Sequence, residues 1–139
     1  MLSARLWLCL PPSLLYLLDV AITLAGQEPA YWRGGTTAVY EANPLAYRLL
    51  MLHPVVFVGT AVAWWVIFAA LICKLRKEFA VVLAFVLSVG HATGAASWLL
   101  QGGVPGWLCT IAVFVGAERL VAWSWERARP NKGGQATLL

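Results

Sequence analysis

Residues 14–24 read LLYLLDVAITL, an apolar run with a single carboxylic acid, Asp19, near its centre. The run belongs to a longer apolar stretch of about 20 residues, the length that crosses the hydrocarbon core of a bilayer. An acidic residue at the centre of such a helix costs about 2.5–3.5 kcal/mol on insertion scales, and less near an interface. Because this cost must be offset, Asp19 is predicted to face protein and to have a polar partner.

The whole chain has the composition of a membrane protein. Of its 139 residues, 61% are hydrophobic and 12% are charged, and the mean hydropathy is +0.76. A soluble domain of this length would carry more charge on its surface. The net charge of +4 does not indicate nucleic acid binding, because the basic residues flank apolar stretches instead of forming a patch interleaved with aromatic residues.

Four apolar stretches are long enough to span a bilayer, namely residues 6–25, 54–73, 79–100 and 105–125. A short interfacial helix is predicted over residues 44–52, because proline at position 54 disfavours helical geometry in His53 and lacks a backbone donor. The sequence therefore predicts an all-α fold, a polytopic four-transmembrane-helix bundle. Residues 1–129 would form one domain, followed by a disordered cytosolic tail over residues 130–139.

The basic residues predict the orientation of this bundle. If the four spans alternate, eight of the ten Lys and Arg residues lie on one side, namely Arg5, Lys74, Arg76, Lys77, Arg119, Arg127, Arg129 and Lys132. Only Arg33 and Arg48 lie on the other. The positive-inside rule then places both termini in the cytosol, in a multi-pass protein of the cell membrane. A cleaved signal peptide is the alternative for residues 1–25, which Asp19 within the apolar region disfavours.

Three cysteines, Cys9, Cys73 and Cys109, lie within or at the ends of the predicted spans. Their odd number, their apolar surroundings and the lack of a Cys-x-x-Cys pair indicate small buried hydrophobic residues. Neither a disulfide nor a zinc site is predicted from them.

Asp19 and His91 are predicted to lie at similar depth in the bilayer. Counted from the extracytosolic helix ends, Asp19 is about six residues in and His91 about nine, which is a vertical difference of about 5 Å. Thr23 follows Asp19 by one turn on the same face. Gly90 and Gly94 flank His91 and form a small-x-x-x-small surface on which another helix can approach closely.

The segment between the first two spans ends in Glu41-Ala42-Asn43-Pro44. Asn43 is suited to cap a helix that begins at Pro44, and Glu41 lies near the positive end of that helix dipole. His53 lies at the joint before the second span. Together with the residues inside the spans, these predict one polar cluster near the extracytosolic side, made of Asp19, Thr23, Glu41, Asn43, His53 and His91.

The first 60 or so residues resemble a known membrane domain. The pattern Asp19-x-x-x-Thr23, then Gly26, then Glu41-Ala42-Asn43-Pro44-Leu45 before the second apolar span is similar to the small prokaryotic integral membrane domain of unknown function 5658. The resemblance implies that Asp19, Thr23, Glu41 and Asn43 act as one unit, and it implies no activity, because the domain has none assigned. Its members often carry a lysine in the second span, whereas residues 59–73 contain none.

Three functions fit these residues. The first is a non-enzymatic membrane module in which the polar cluster is structural or binds a partner or small ligand. The second is a metal-dependent intramembrane hydrolase, with a divalent ion such as zinc on Asp19, Glu41, His53 and His91. The third is a proton- or cation-translocating subunit with Asp19 and His91 as relay groups.

The first of these functions is favoured. A metalloprotease spacing such as His-Glu-x-x-His is absent from the sequence, and Glu118 is the single acidic group that could continue a relay in the cytosolic half of the spans. No cofactor is predicted. The expected partners are the lipid bilayer and another membrane protein or a second copy of this chain, and not nucleic acid.

Overall fold

The computed structural model describes residues 2–34 and 38–129, and this part of the chain is helical with no strand. The elements are α1 (Leu2–Ala25), α2 (Pro29–Trp32), α3 (Pro44–Leu52), α4 (Pro54–Lys74), α5 (Lys77–Leu99), a 3-10 turn (Leu100–Gly102) and α6 (Gly103–Ala128). The predicted all-α class is confirmed. The predicted tail over residues 130–139, which includes Lys132, lies outside the described residues.

Three stretches of the described chain are long and apolar enough to cross a membrane, namely Arg5–Ala25, Pro54–Lys74 and Lys77–Ala128. The last of these contains both α5 and α6. Helix α5 begins two residues before the predicted span, at Lys77 and Glu78, and α6 continues three residues past it, to Ala128. The short helix predicted over residues 44–52 is present as α3.

Helix α1 packs against each of the other three long helices. Its first half contributes Leu8 and Cys9 to a buried cluster that also contains Ile72 from the end of α4, Ala80 from the start of α5, and Ala128 from the end of α6. Consequently α1 and α5 run in the same direction, while α4 and α6 run in the opposite one.

A series of small residues brings α5 close to its neighbours. The side chains that recur every fourth residue on its buried face are Ala80, Ala84, Ser88, Ala92 and Ala96. Small side chains at this spacing allow helix backbones to approach closely. The prediction that another helix packs on Gly90 was wrong. Gly90 is exposed, and a Cβ built on it would have no atom of another helix within 4 Å. At Gly94 a neighbouring helix does approach.

Two prolines leave carbonyl groups that side chains from other elements satisfy. Pro11 lies inside α1 and cannot donate to the carbonyl four residues earlier, that of Trp7. Ser124 Oγ on α6 donates to this Trp7 carbonyl instead. Because unsatisfied backbone groups in lipid cost several kcal/mol, this bond stabilises the kink-prone start of α1 against α6.

Pro54 removes a donor from the end of α3 in the same way, at the carbonyl of Leu50. The hydroxyl group of Tyr31 in α2 donates to this carbonyl at 3.1 Å. Tyr31 is buried, and burial raises the pKa of its hydroxyl above the ordinary value. The bond ties α2 to the joint between α3 and α4.

The cysteines differ in their exposure. Cys9 is buried, Cys73 is half-buried and Cys109 is exposed. The prediction that all three are buried was therefore wrong for Cys109. In a chain as apolar as this one, hydropathy does not distinguish the side of α6 that faces protein from the side that faces away from it.

Candidate functional site

Asp19 on α1 and His91 on α5 form a hydrogen bond. His91 Nδ1 lies 2.9 Å from Asp19 Oδ2, and the side chains of His91 and Asp19 are 23% and 22% exposed, respectively. An ionised carboxylate can only accept, so with Asp19 ionised Nδ1 carries the proton and donates. The bond therefore links α1 to α5 through two polar side chains within otherwise apolar helices.

Gly94 makes room for the Asp19 carboxylate. A Cβ atom at position 94 would lie 2.6 Å from Asp19 Oδ1 and 2.7 Å from Oδ2. Because this is closer than non-bonded atoms approach each other, only glycine allows the carboxylate to rest against the backbone of α5. The sequence singles out Gly94 as a helix-packing position, and the structure shows that the group which approaches it is the acid itself.

Tyr16 adds a third helix to the pair. Its ring packs edge-on against the ring of His91, with centroids 4.4 Å apart. Its hydroxyl group donates to the carbonyl of Ala61 on α4 at 2.9 Å. Sequence reasoning missed Tyr16, although its position three residues before Asp19 places both on one face of α1.

A small cavity lies beside the pair, between α1, α4 and α5. Its volume is about 20 Å³, and its lining includes Cys9, Ser13, Tyr16, Trp65 and His91. This is space for about one water molecule. Within the lining, the indole N–H of Trp65 donates to Ser13 Oγ at 2.9 Å.

Gln27 holds the segment that connects α1 to α3, called the outer segment below, and sequence reasoning missed this residue. The side chain is 5% exposed. Its amide nitrogen donates to the carbonyls of Thr23 and Tyr40, each at 2.9 Å, and its amide oxygen accepts from the N–H of Tyr40 at 3.0 Å. The signal available in the sequence was a polar side chain directly after Gly26, where α1 ends.

Trp98 near the end of α5 supports the same segment. Its ring packs against that of Tyr40, with centroids 5.5 Å apart. A Cβ at Gly26 would lie 2.5 Å from two atoms of the Trp98 ring. Gly26 therefore lets Trp98 lie directly on the end of α1.

Glu41 and Asn43 form a local turn at the start of α3. Glu41 Oε1 accepts from the backbone N–H of Asn43 at 2.7 Å. Asn43 Oδ1 accepts from the N–H groups of Leu45 at 3.0 Å and Ala46 at 3.3 Å. These bonds are those of a helix cap, and they satisfy donors within three residues along the chain.

His53 caps α4, since its Nδ1 accepts from the backbone N–H of Val55 at 3.2 Å. Thr23 is buried one turn beyond Asp19. Within residues 2–34 and 38–129, no group of three or more His, Cys, Asp or Glu side chains is arranged to hold a metal ion. Of the six residues predicted to form the cluster, the structure joins Asp19 to His91 by a side-chain contact and gives the capping residues local bonds.

The fold and this site define a class, an all-helical protein with helices long enough to span a membrane and an Asp–His contact between two of them. No protein-family model, curated protein or solved structure matches the chain. The resemblance of its first 60 residues to the small prokaryotic membrane domain stays a prediction.

Proposed function

We propose that the chain is an integral protein of the cell membrane whose four long helices each cross the bilayer. The stretch Lys77–Ala128 has 52 residues and would be about 78 Å long as one straight helix, more than twice the hydrocarbon thickness of about 30 Å. The turn at Leu100–Gly102 divides it, and Gly103 there has φ of +63°, which L side chains rarely adopt. Two crossings in this stretch bring the total to four.

The basic end of the bundle supports a cytosolic location for both termini. Arg5 donates from Nη1 to the carbonyl of Ile72 at 3.3 Å, two residues before Lys74. Arg127 near the end of α6 lies 5.4 Å from the ring centroid of Trp7. Positive charges from three helices thus collect at one end, together with the interfacial tryptophan expected there.

The function that the geometry supports best is that of a non-enzymatic membrane module. The observation that carries it is the 2.9 Å contact between Asp19 and His91, which links α1 and α5 in the half of the bundle that holds the outer segment. With Gln27 securing that segment, the exposed rings of Trp32 and Tyr40 are held in place for a partner protein, a second copy of the chain or a small ligand.

A double-mutant cycle on Asp19 and His91 tests this role. We expect D19A and H91A each to lower the free energy of unfolding, with a coupling of about 0.6–2 kcal/mol, the range of interhelical hydrogen bonds in bilayers. D19N should be close to the parent, because the amide oxygen still accepts from Nδ1. Additive losses in the double variant would contradict the structural role.

Labelling with a membrane-impermeant maleimide tests the topology. In intact cells, a cysteine at Glu28 should react beyond the background of the parent chain, whereas one at Lys77 should react only after permeabilisation. A C-terminal tag should also be accessible only after permeabilisation. Exposure of that tag on intact cells would rule out four crossings with cytosolic termini.

A second candidate function is proton or cation translocation with Asp19 and His91 as relay groups. The cavity next to His91 favours it, because the residues that line this cavity include Ser13 and Cys9, which lie on α1 between the level of His91 and the basic end. In reconstituted vesicles, D19N should then abolish proton flux without loss of folded protein. Flux that D19N leaves unchanged would remove this candidate.

A further inference from the structure

Two cysteines from different helices meet where α1 begins and α4 ends. Cys9 Sγ lies 3.9 Å from Cys73 Sγ, and also 3.8 Å from the carbonyl oxygen of Ala69. Neither sulfur takes part in the contact between Asp19 and His91. Two free thiols are therefore held face to face across a helix interface.

The surrounding contacts keep the two sulfurs in register. Arg5, one turn before Cys9, bonds to the carbonyl of Ile72, the residue before Cys73. Ile72 and Ala80 are 1% and 0% exposed and pack with Cys9 in the buried cluster that joins α1, α4 and α5. The pair is thus part of the packed end of the bundle, so a ligand would meet a preformed arrangement.

We propose that Cys9 and Cys73 bind a soft monovalent d¹⁰ cation, Cu(I) or its analogue Ag(I), through both sulfurs. Thiolates are the ligands that select Cu(I) among biological metals. A metal–thiolate bond is about 2.3 Å long, as in zinc sites, so two sulfurs on one ion are at most about 4.6 Å apart. The present separation of 3.9 Å is within that limit.

A disulfide, the alternative for this pair, requires a larger movement of the sulfurs than a shared cation does. A disulfide needs the sulfurs at about 2.05 Å, so they would have to move closer by about 1.9 Å. Binding one cation needs a smaller shift, and in the opposite direction if the S–metal–S angle is linear. Two thiolates satisfy Cu(I) or Ag(I), whereas protein zinc sites use three or four protein ligands.

The binding step involves no oxidation or reduction. Two thiol groups and one monovalent cation form a bis-thiolate complex of charge −1, and two protons leave to the solvent. The guanidinium group of Arg5 donates to the carbonyl of Ile72, the residue before Cys73. Its positive charge at this end of the bundle lowers the free-energy cost of an anionic complex in an apolar setting.

Titration of the purified chain in detergent with Ag(I), followed by native mass spectrometry, tests the proposal. We expect one tightly bound ion per chain in the parent and in C109S, the control that removes the exposed cysteine. C9S and C73S should each bind at least tenfold more weakly. Binding by C9S and C73S as tight as that of the parent, or loss of binding in C109S, would overturn the proposal.

A second measurement needs no variant. X-ray absorption of the parent chain loaded with Cu(I) in the presence of a competing Cu(I) chelator should show two sulfur neighbours at one short distance. A spectrum dominated by nitrogen or oxygen neighbours would overturn the proposal. So would a chain that binds no Cu(I) or Ag(I) and, with a mild oxidant, only loses two hydrogen atoms to form a disulfide.

Discussion

A single methyl group added at Gly94 should break the contact between Asp19 and His91. The Cβ of G94A would lie 2.6 Å from Asp19 Oδ1 and 2.8 Å from its Cγ, so the carboxylate must move. G90A is a matched control on the same helix, one turn earlier, because nothing lies within 4 Å of its Cβ. Both substitutions raise helix propensity by up to about 1 kcal/mol, so this term cancels when the two variants are compared.

The difference between the two variants isolates the contact. Overpacking costs about 1–3 kcal/mol, and an interhelical hydrogen bond in a bilayer contributes about 0.6–1.7 kcal/mol. These terms overlap, because movement of Asp19 relieves the clash while it loses the bond. We therefore expect G94A to be about 1–3 kcal/mol less stable than G90A, which is about 5- to 150-fold in the unfolding equilibrium constant.

Equilibrium unfolding in mixed micelles with increasing SDS measures this difference, with the fluorescence of the eight tryptophans as the signal. The same pair of substitutions is then made in a D19A background. Without the carboxylate, the penalty of G94A relative to G90A should largely disappear. Equal stabilities of G94A and G90A, or a penalty that persists unchanged in D19A, would refute the packing argument.

Three further predictions concern bonds outside this contact. S124A should lower the free energy of unfolding by about 1–2 kcal/mol in the same assay. The loss should be smaller in a P11A background, where the restored backbone N–H can donate to the carbonyl of Trp7. An equal loss in both backgrounds would show that Ser124 does not replace the donor that Pro11 removes. Y31F should lower the free energy of unfolding by about 1 kcal/mol. Because burial raises the pKa of Tyr31 above its ordinary value of 10.0, the contribution of this hydroxyl to stability should be fully present below pH 10 and be lost as the pH rises further, and Y31F should lack this pH-dependent loss. Q27A should speed hydrogen exchange at the amide of Tyr40, which donates to Gln27, and unchanged protection there would show that the side chain does not hold the outer segment.

The sequence predicted the helical class and the positions of most helices, since apolar length and proline are local signals. The joint between α3 and α4 follows from Pro54, and the cap at Asn43 from its position before Pro44. Depth along the helices put Asp19 and His91 at similar levels, and the structure has them in contact.

What the sequence by itself determined is therefore one-dimensional: which residues are helical and where along each helix a polar group lies. Only the tertiary structure decided how each helix is rotated about its axis. In a soluble helix, polar residues mark the outer face, but here the outer faces of α5 and α6 are as apolar as the inner ones, so hydropathy does not distinguish Gly94 from Gly90. The partners of the freed carbonyls, Ser124 and Tyr31, also depend on contacts between residues distant in the chain.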